Sequence, residues 1–377
     1  PAAPTPRNAH PRSPARHLFG TQNRAARQAS IRPMFPTALL SRAWIFALVL
    51  AGIAVSAPAA DLPRRNDGNR LTYLESDDPF YPNRDFPKLI TPQWIGEPGV
   101  EAVVILAIDD MRDSKKYESY LRPILDRLKR IDGRAPVSIF ANVVEPGDPQ
   151  LQAWLKEGLS LEVHTLSHPC PLLQTGSFTN AWSTYQDCID LLNRVPGNKP
   201  VAFRMPCCDS MNSPSPRFYS EIFSRRSSAG NFLQIDSSVM CLLTPRDTSL
   251  PRELVVDVDG RERFRKYFPI QTNAITKKSL GNFATWIEDY PYPYVIDRTC
   301  WEFPAMVPSD WEAYNTHGAT NPATLADWKA ALDATGIKQG ELTWILQPTG
   351  WRTQAQIVAL IGHAGRTHGE NGDSDRT

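Results

Sequence analysis

The sequence predicts an α/β fold in which parallel strands alternate with helical crossovers, as a barrel or an open sheet. Three observations carry that expectation. Short, continuous apolar runs recur, as strands buried on both faces require. Segments with apolar residues at helical spacing stand between them. The links are short, so each strand is followed by a helix that crosses back to start the next one parallel to it.

The first strand is Ala102-Val-Val-Ile-Leu-Ala-Ile108, followed by a helix read from Tyr117, Leu121, Ile124, Leu125 and Leu128. Pro136–Val144 reads as the second strand, Leu151–Glu157 as a short helix and Leu159–Val163 as the third strand. Phe178–Arg194 is helical with Ser177 as its cap, because a serine oxygen can accept from a first-turn N–H. Val201–Phe203 is the fourth strand, Pro216–Arg226 a helix and Phe232–Ile235 the fifth strand. Thr244–Pro322 is rich in aromatics and proline, and is expected to hold long loops over one face. Leu325–Ala334 is helical and closes at Gly336, Glu341–Leu346 is a strand, and Thr353–His363 is a helix. There are no internal repeats, and one domain over residues 100–368 is the simplest account.

The chain has 377 residues and is 41% hydrophobic and 10% aromatic, enough for a sizeable core. Lys and Arg number 41 against 40 Asp and Glu, so overall charge gives no reason to expect nucleic acid. The 34 prolines exceed the usual share of about 5% and point to long ordered connections over a scaffold.

Residues 1–33 contain Arg among Pro, Ala and Ser but no acidic residue and no Lys, a composition that cannot bury a core. Met34, Arg42, the apolar run Trp44–Val55 and Ala57-Pro58-Ala59 then follow in the order of a secretory signal. The expectation is a signal peptide over residues 34–60, with translation starting near Met34 and export to the periplasm, cell envelope or exterior. The apolar run is short for a membrane span, so no stable membrane insertion is expected after cleavage. An Arg-rich transit peptide and an uncleaved anchor are the alternatives. Residues 61–99 form a Pro-rich lead-in and residues 369–377 a polar tail. Export makes disulfides possible for the six cysteines, Cys170, Cys188, Cys207, Cys208, Cys241 and Cys300. None forms a C-x-x-C pair, which argues against a cysteine zinc site.

Three segments stand at strand ends, where parallel barrels place their chemistry. Asp109-Asp110 follows Ile108; neighbouring strand residues point oppositely, so one carboxylate can face a metal and the other a substrate. Taken alone, the pair could equally be a solvated turn with a helix cap. His164-Thr-Leu-Ser-His168 follows Val163; four residues apart on a helical turn, two imidazoles can share a metal, though a lone pair of this kind is a weak signal. Arg204-Met-Pro206-Cys207-Cys208-Asp209 follows Phe203. Its proline fixes a bend that can present the next N–H to a reacting oxygen, and its arginine can hold a carboxylate. A structural Arg–Asp pair is the plainer reading.

In this order, Ile108-Asp109-Asp110, His164-x-x-x-His168 and Arg204-x-Pro206 resemble the NodB-homology polysaccharide deacetylases, carbohydrate esterase family four. The resemblance spans roughly residues 100 to 365 and implies a distorted (β/α) barrel in a single domain. It implies Asp109 as general base and Asp110, His164 and His168 as ligands of a divalent metal, most often Zn²⁺. It further implies Arg204 orienting Asp109, the Cys207 N–H binding an oxyanion, and an acetylated polysaccharide as substrate. Cys207 stands where the family has Tyr, and Gln347, after Ile345-Leu346, stands where it has a catalytic His. A glutamine amide donates a hydrogen bond but cannot supply a proton. Cys170 lies two residues after His168, on the same expected rim, and a disulfide from Cys170 to Cys207 or Cys208 is expected, with free buried cysteines as the alternative.

Pro206, Asp209, Trp301, Trp311, Gln347 and Trp351 are further candidates for substrate contact, and Tyr290–Tyr294 with Trp301 could form an aromatic platform for sugar rings. Asp236-Ser237-Ser238 could line the pocket or cap a turn. His317, His363 and His368 have no spacing that places them at the site. Two other classes compete: an impaired glycan-binding relative, suggested by Gln347, and an iron(II) oxygenase using two His and one carboxylate. Strand–helix alternation disfavours the oxygenase. The oligomeric state is not legible in the sequence.

Overall fold

The computed structural model describes residues 89, 99–170, 172–173, 176–208, 216–268, 271–272, 279–281 and 285–368. The expected signal peptide, nearly all of the lead-in, the polar tail and Asp209 lie outside them. Among the described residues no helix is long and apolar enough to cross a membrane.

The strands are β1 (Val103–Met111), β2 (Val137–Ala141), β3 (Ser160–Val163), β4 (Ala202–Phe203), β5 (Ile235–Asp236), β6 (Met240–Leu242), β7 (Gln271–Thr272), β8 (Ser279–Gly281), β9 (Trp286–Glu288), β10 (Tyr294–Ile296), β11 (Cys300–Glu302), β12 (Ala305–Met306) and β13 (Glu341–Leu346). The α-helices are α1 (Ser114–Asp132), α2 (Pro149–Glu157), α3 (Phe178–Asn193), α4 (Pro216–Phe218), α5 (Arg252–Val255), α6 (Asp310–His317), α7 (Pro322–Lys338) and α8 (Gln354–His368). Apart from the β7–β8 hairpin, the strands form one sheet of eleven in the order β10-β11-β5-β4-β3-β2-β1-β13-β12-β6-β9. Its only antiparallel pair is β10–β11, at one edge.

The two edge strands explain its curvature. β9 and β10 are the outermost strands, yet only residues 289–293 separate them in the chain. The six Cα–Cα steps from Glu288 to Tyr294 reach about 22 Å at most, far less than eleven strands laid flat at about 4.8 Å spacing, so the sheet must curl. The result is an interrupted (β/α) barrel, as the strand–helix alternation implies. β1 is held on both sides, by β13 from Val103 to Ile108 and by β2 from Leu106 onward.

The helices start and stop by ordinary chemistry. Asp113 accepts from the N–H groups of Lys115 and Lys116 at the start of α1, and Gly133 ends it at φ 80°. Ser177 caps α3 as expected. Two expectations are corrected. α7 does not close at Gly336 but runs to Lys338, because Gln339 adopts the left-handed cap and donates to the Gly336 carbonyl. Thr244–Pro322 is not merely loops over one face, since β9–β12 and α6 lie within it. These strands are two or three residues long, too short to show a period, and take their pairing from distant segments such as Met240 against Trp286.

The barrel interior holds buried carboxyls as well as apolar side chains. Glu341 is fully buried; Thr343 Oγ1 donates to its Oε2 at 2.8 Å, while Oε1 has no partner. Burial pushes its carboxyl up to about 8, against the ordinary 4.5. A raised carboxyl stabilises the fold fully below its unfolded pKa, and that contribution is lost as pH rises through the folded value. The melting temperature is therefore expected to fall between pH 5 and pH 9, and less steeply in Glu341→Gln. Parallel pH slopes in the two proteins would remove Glu341 as a cause.

Candidate active site

β1 delivers both aspartates. Asp109 is buried, and Asp110 sits at φ 67°, where the pairing with β2 shifts between Ile108 and Met111. The irregularity turns the two carboxylates apart. Asp109 Oδ1 accepts from Arg204 Nη1 at 2.8 Å, while Asp110 Oδ1 meets the imidazoles. Tyr117, at the start of α1, donates its hydroxyl to the Asp109 carbonyl at 2.6 Å and holds the strand end from behind.

Arg204 is wholly buried, which an arginine tolerates only when its charge and donors are met. Besides Asp109, Nε donates to the Ser237 carbonyl at 2.7 Å and Nη2 to Ser237 Oγ at 2.8 Å. The guanidinium carbon lies 4.4 Å from the centre of the Phe140 ring. The preceding residue, Phe203, anchors this strand in a cluster with Tyr185, Phe218 and Phe223, at ring separations of 5.1, 5.8 and 6.1 Å. Aromatic packing and a buried ion pair thus fix the direction of Asp109.

His164 and His168 come together, but not on the helical turn expected from their spacing. Thr165 and His168 take φ values of 60° and 52°, a double left-handed kink. Asn142, just after β2, makes the kink possible: its Nδ2 donates to the carbonyls of both His164 and Thr165 at 2.8 Å. Sequence reasoning missed Asn142 and Tyr117. A polar residue closing the apolar run Val137–Ala141 was the only signal for Asn142.

The donors of Asp110, His164 and His168 all lie within 4.8 Å of one another. His164 Nδ1 faces the Arg204 carbonyl at 2.8 Å; a carbonyl only accepts, so Nδ1 carries the proton. The Nε2 lone pair of a neutral His164 then faces Asp110 Oδ1 at 3.5 Å, and His168 Nε2 lies 2.8 Å from the same oxygen. That oxygen is buried without a hydrogen-bond donor. Inward-facing lone pairs with an orphaned carboxylate oxygen fit a divalent cation, and the two-nitrogen, one-oxygen set suits zinc. Were the two imidazoles protonated instead, burial would still push the Asp110 carboxyl up, but their hydrogen bonds and charge would outweigh it and hold the group well below its usual range.

A disulfide joins Cys170 to Cys207 and leaves Cys208 free. It ties the loop after His168 to the loop after Arg204. Pro206 is buried, Cys207 sits at φ 61°, and the Cys208 N–H donates to the Met205 carbonyl at 3.0 Å. Five of the nine non-glycine residues with positive φ among the described residues are Asp110, Thr165, His168, Cys207 and Cys208. Backbone strain therefore concentrates at this cluster, as it does at functional sites.

β13 places Gln347 beside Asp109, since Leu346 pairs with Ile108. Its N–H donates to Asp310 Oδ2 at 2.6 Å, and its side-chain amide lies against both carboxyl oxygens of Asp310. Asp310 is fully buried at the start of α6; burial, chiefly, pushes its carboxyl well above the usual range. Trp311 follows it on α6, and Trp351 stacks on Tyr314 of the same helix, with ring centroids 6.1 Å apart and planes at 27°. Trp301 is half-buried on β11, in register with Ile235 of β5, and Glu302 beside it is fully buried. Within the Tyr290–Tyr294 stretch, Pro291 is held at the far end of β13 from Gln347. The Pro291 carbonyl accepts from the N–H of Glu341 at the start of β13, the end opposite Gln347. His363 pairs with Asp333 at 2.8 Å, and His317 packs against Tyr267, away from Asp109.

Carboxylate and imidazole donors thus converge at the C-terminal ends of parallel strands, where an α/β barrel places its chemistry. Residues 96–214, which hold all three motifs, match the family model described as polysaccharide deacetylase, and the resemblance read from those motifs is confirmed on that segment. Gln347 lies beyond it. No curated protein matches the chain. Among solved structures, a Mycobacterium smegmatis protein described as a polysaccharide deacetylase is 14% identical, with 76% of this chain and 90% of that one covered and a TM-score of 0.44. A peptidoglycan deacetylase of Bacillus subtilis is 26% identical over 32% of this chain and 55% of its own, with a TM-score of 0.26. A polysaccharide deacetylase of Bacillus cereus is 15% identical, covering 72% and 88%, with a TM-score of 0.38.

Proposed function

We propose that the chain is an exported, metal-dependent hydrolase that removes acetyl groups from N- or O-acetylated polysaccharide. The observation that carries this reading is the juxtaposition of Asp109, fixed by Arg204, with the donor cluster Asp110, His164 and His168. Those three residues would hold a divalent cation, most readily Zn²⁺. When bound it supplies Lewis-acid polarisation of the acyl oxygen and eases deprotonation of water. Asp109 takes the proton of the attacking water. Arg204 holds the carboxylate in direction, and the N–H of Cys207 faces the developing oxyanion. Pro206, Gln347, Trp311 and Trp351 border the bound sugar, the Trp351–Tyr314 stack offering a flat apolar face. Export through the signal near Met34 accords with the Cys170–Cys207 disulfide, since such bonds persist in oxidising compartments.

The test is acetate release from chitooligosaccharide, peptidoglycan and acetylated xylan. Release is expected with added Zn²⁺, is lost on chelation and returns when the metal is restored. A folded, zinc-loaded chain that releases no acetate from any of them would leave a glycan-binding role instead.

A further inference from the structure

The group that meets the departing sugar decides which acetyl linkage this site can break. Hydrolysis begins alike for an ester and an amide: a water oxygen bonds to the acetyl carbon, and the water proton passes to Asp109. The two then differ. In an ester the C–O bond breaks with its electron pair moving to the sugar oxygen. A sugar alkoxide can depart while merely hydrogen-bonded and take its proton afterwards, from the Asp109 carboxyl or from solvent, leaving acetate. In an amide the nitrogen must be protonated before the C–N bond breaks, because a free amide anion is far too basic to leave. Amide cleavage therefore gains far more than ester cleavage from a second acid held at the leaving atom, beyond the proton that the Asp109 carboxyl can return.

The residue beside Asp109 on the neighbouring strand end is Gln347, about 5 Å away across the sheet. Its amide donates hydrogen bonds and releases no proton. The carboxyl of Asp310 lies behind it, fully buried and in contact with the amide, so it is shut off from a sugar. The Gln347 NH₂ donates to the Asp310 carboxyl oxygens, which fixes the amide in place. Among the described residues, His317 and His363 are engaged elsewhere, and Tyr117 is committed to the Asp109 carbonyl.

We propose that this site cleaves O-acetyl esters of carbohydrate in preference to N-acetyl amides, because Gln347, the side chain beside Asp109 on the neighbouring strand end, has no proton to give the departing atom. The inference rests on the deacetylase reading above.

The experiment compares kcat/KM of the zinc-supplemented chain, and of Gln347→His and Asp109→Asn, on acetylated xylooligosaccharide and on chitopentaose across pH 5–9. The ester is expected to exceed the amide by at least about 10²-fold. Gln347→His is expected to raise amide cleavage by about 10²-fold or more, in the range typical of general acid catalysis, while changing ester cleavage less than about 10-fold. The variant should also acquire a falling alkaline limb on the amide, from loss of the new imidazolium proton, that the parent lacks. Equal or faster amide cleavage by the parent overturns the ester preference and leaves the deacetylase reading standing. Acetate release no greater than that of Asp109→Asn on both substrates overturns the deacetylase reading and the preference with it.

Discussion

Replacing Asp109 by Asn is expected to lower kcat/KM by about 10³-fold, within the usual range for loss of a general base, with little change in KM. Asparagine keeps the shape of the side chain, so Arg204 still finds an oxygen where Oδ1 stands, 2.8 Å from Nη1. What disappears is the capacity to take a proton from water. Arg204→Met should act differently. It leaves Asp109 buried without its cation and removes the donors to the carbonyl and hydroxyl of Ser237. Breaking a buried ion pair from one side costs about 3–5 kcal/mol, so this variant should lose both turnover and thermal stability. The discriminating readouts are kcat/KM and melting temperature on the same preparations. If Asp109→Asn retained more than a tenth of the parent's turnover, Asp109 would not be the base.

The strands that carry the site were the most legible part of the chain, for a physical reason. β1 is buried from Leu106 to Asp109 and flanked there by β2 and β13, so its residues must be apolar until the barrel mouth, and the change to Asp109-Asp110 marks that mouth. The same contrast marks Val163 to His164 and Phe203 to Arg204. The manner in which the side chains converge was not legible. His164 and His168 meet through left-handed residues, not through a helical period, and those conformations are held by Asn142 from another strand. Nothing local to residues 164–168 encodes that support. The same holds for β9–β12, whose two or three residues gain order only from partners far along the chain. Asp310 shows a third limit. It reads as an ordinary helix-start acid in a capping sequence, and only its burial against Gln347 reveals that it orients that side chain.

Removing His164 is expected to weaken zinc binding by 10²-fold or more, and a graded series around it tests why. His164 offers one nitrogen to the cluster while its other ring nitrogen is fixed by the Arg204 carbonyl at 2.8 Å. That contact sets the tautomer, so the lone pair faces Asp110 before any metal arrives. His164→Ala deletes a donor outright and leaves one nitrogen and one carboxylate. Asn142→Ala keeps all three donors but releases the two carbonyls that hold the kink, and loss of such outer support typically costs about 10–100-fold in affinity. His317→Ala changes a histidine packed against Tyr267 and should bind zinc as the parent does. Titration with a competing chromophoric chelator reads the affinities without any substrate. The expected order of weakening is His164→Ala, then Asn142→Ala, then no change for His317→Ala. Parent-like affinity in His164→Ala would place the cation elsewhere. A full-sized effect of His164→Ala with none from Asn142→Ala would mean that the disulfide from Cys170 to Cys207, not Asn142, keeps the histidine loop in place.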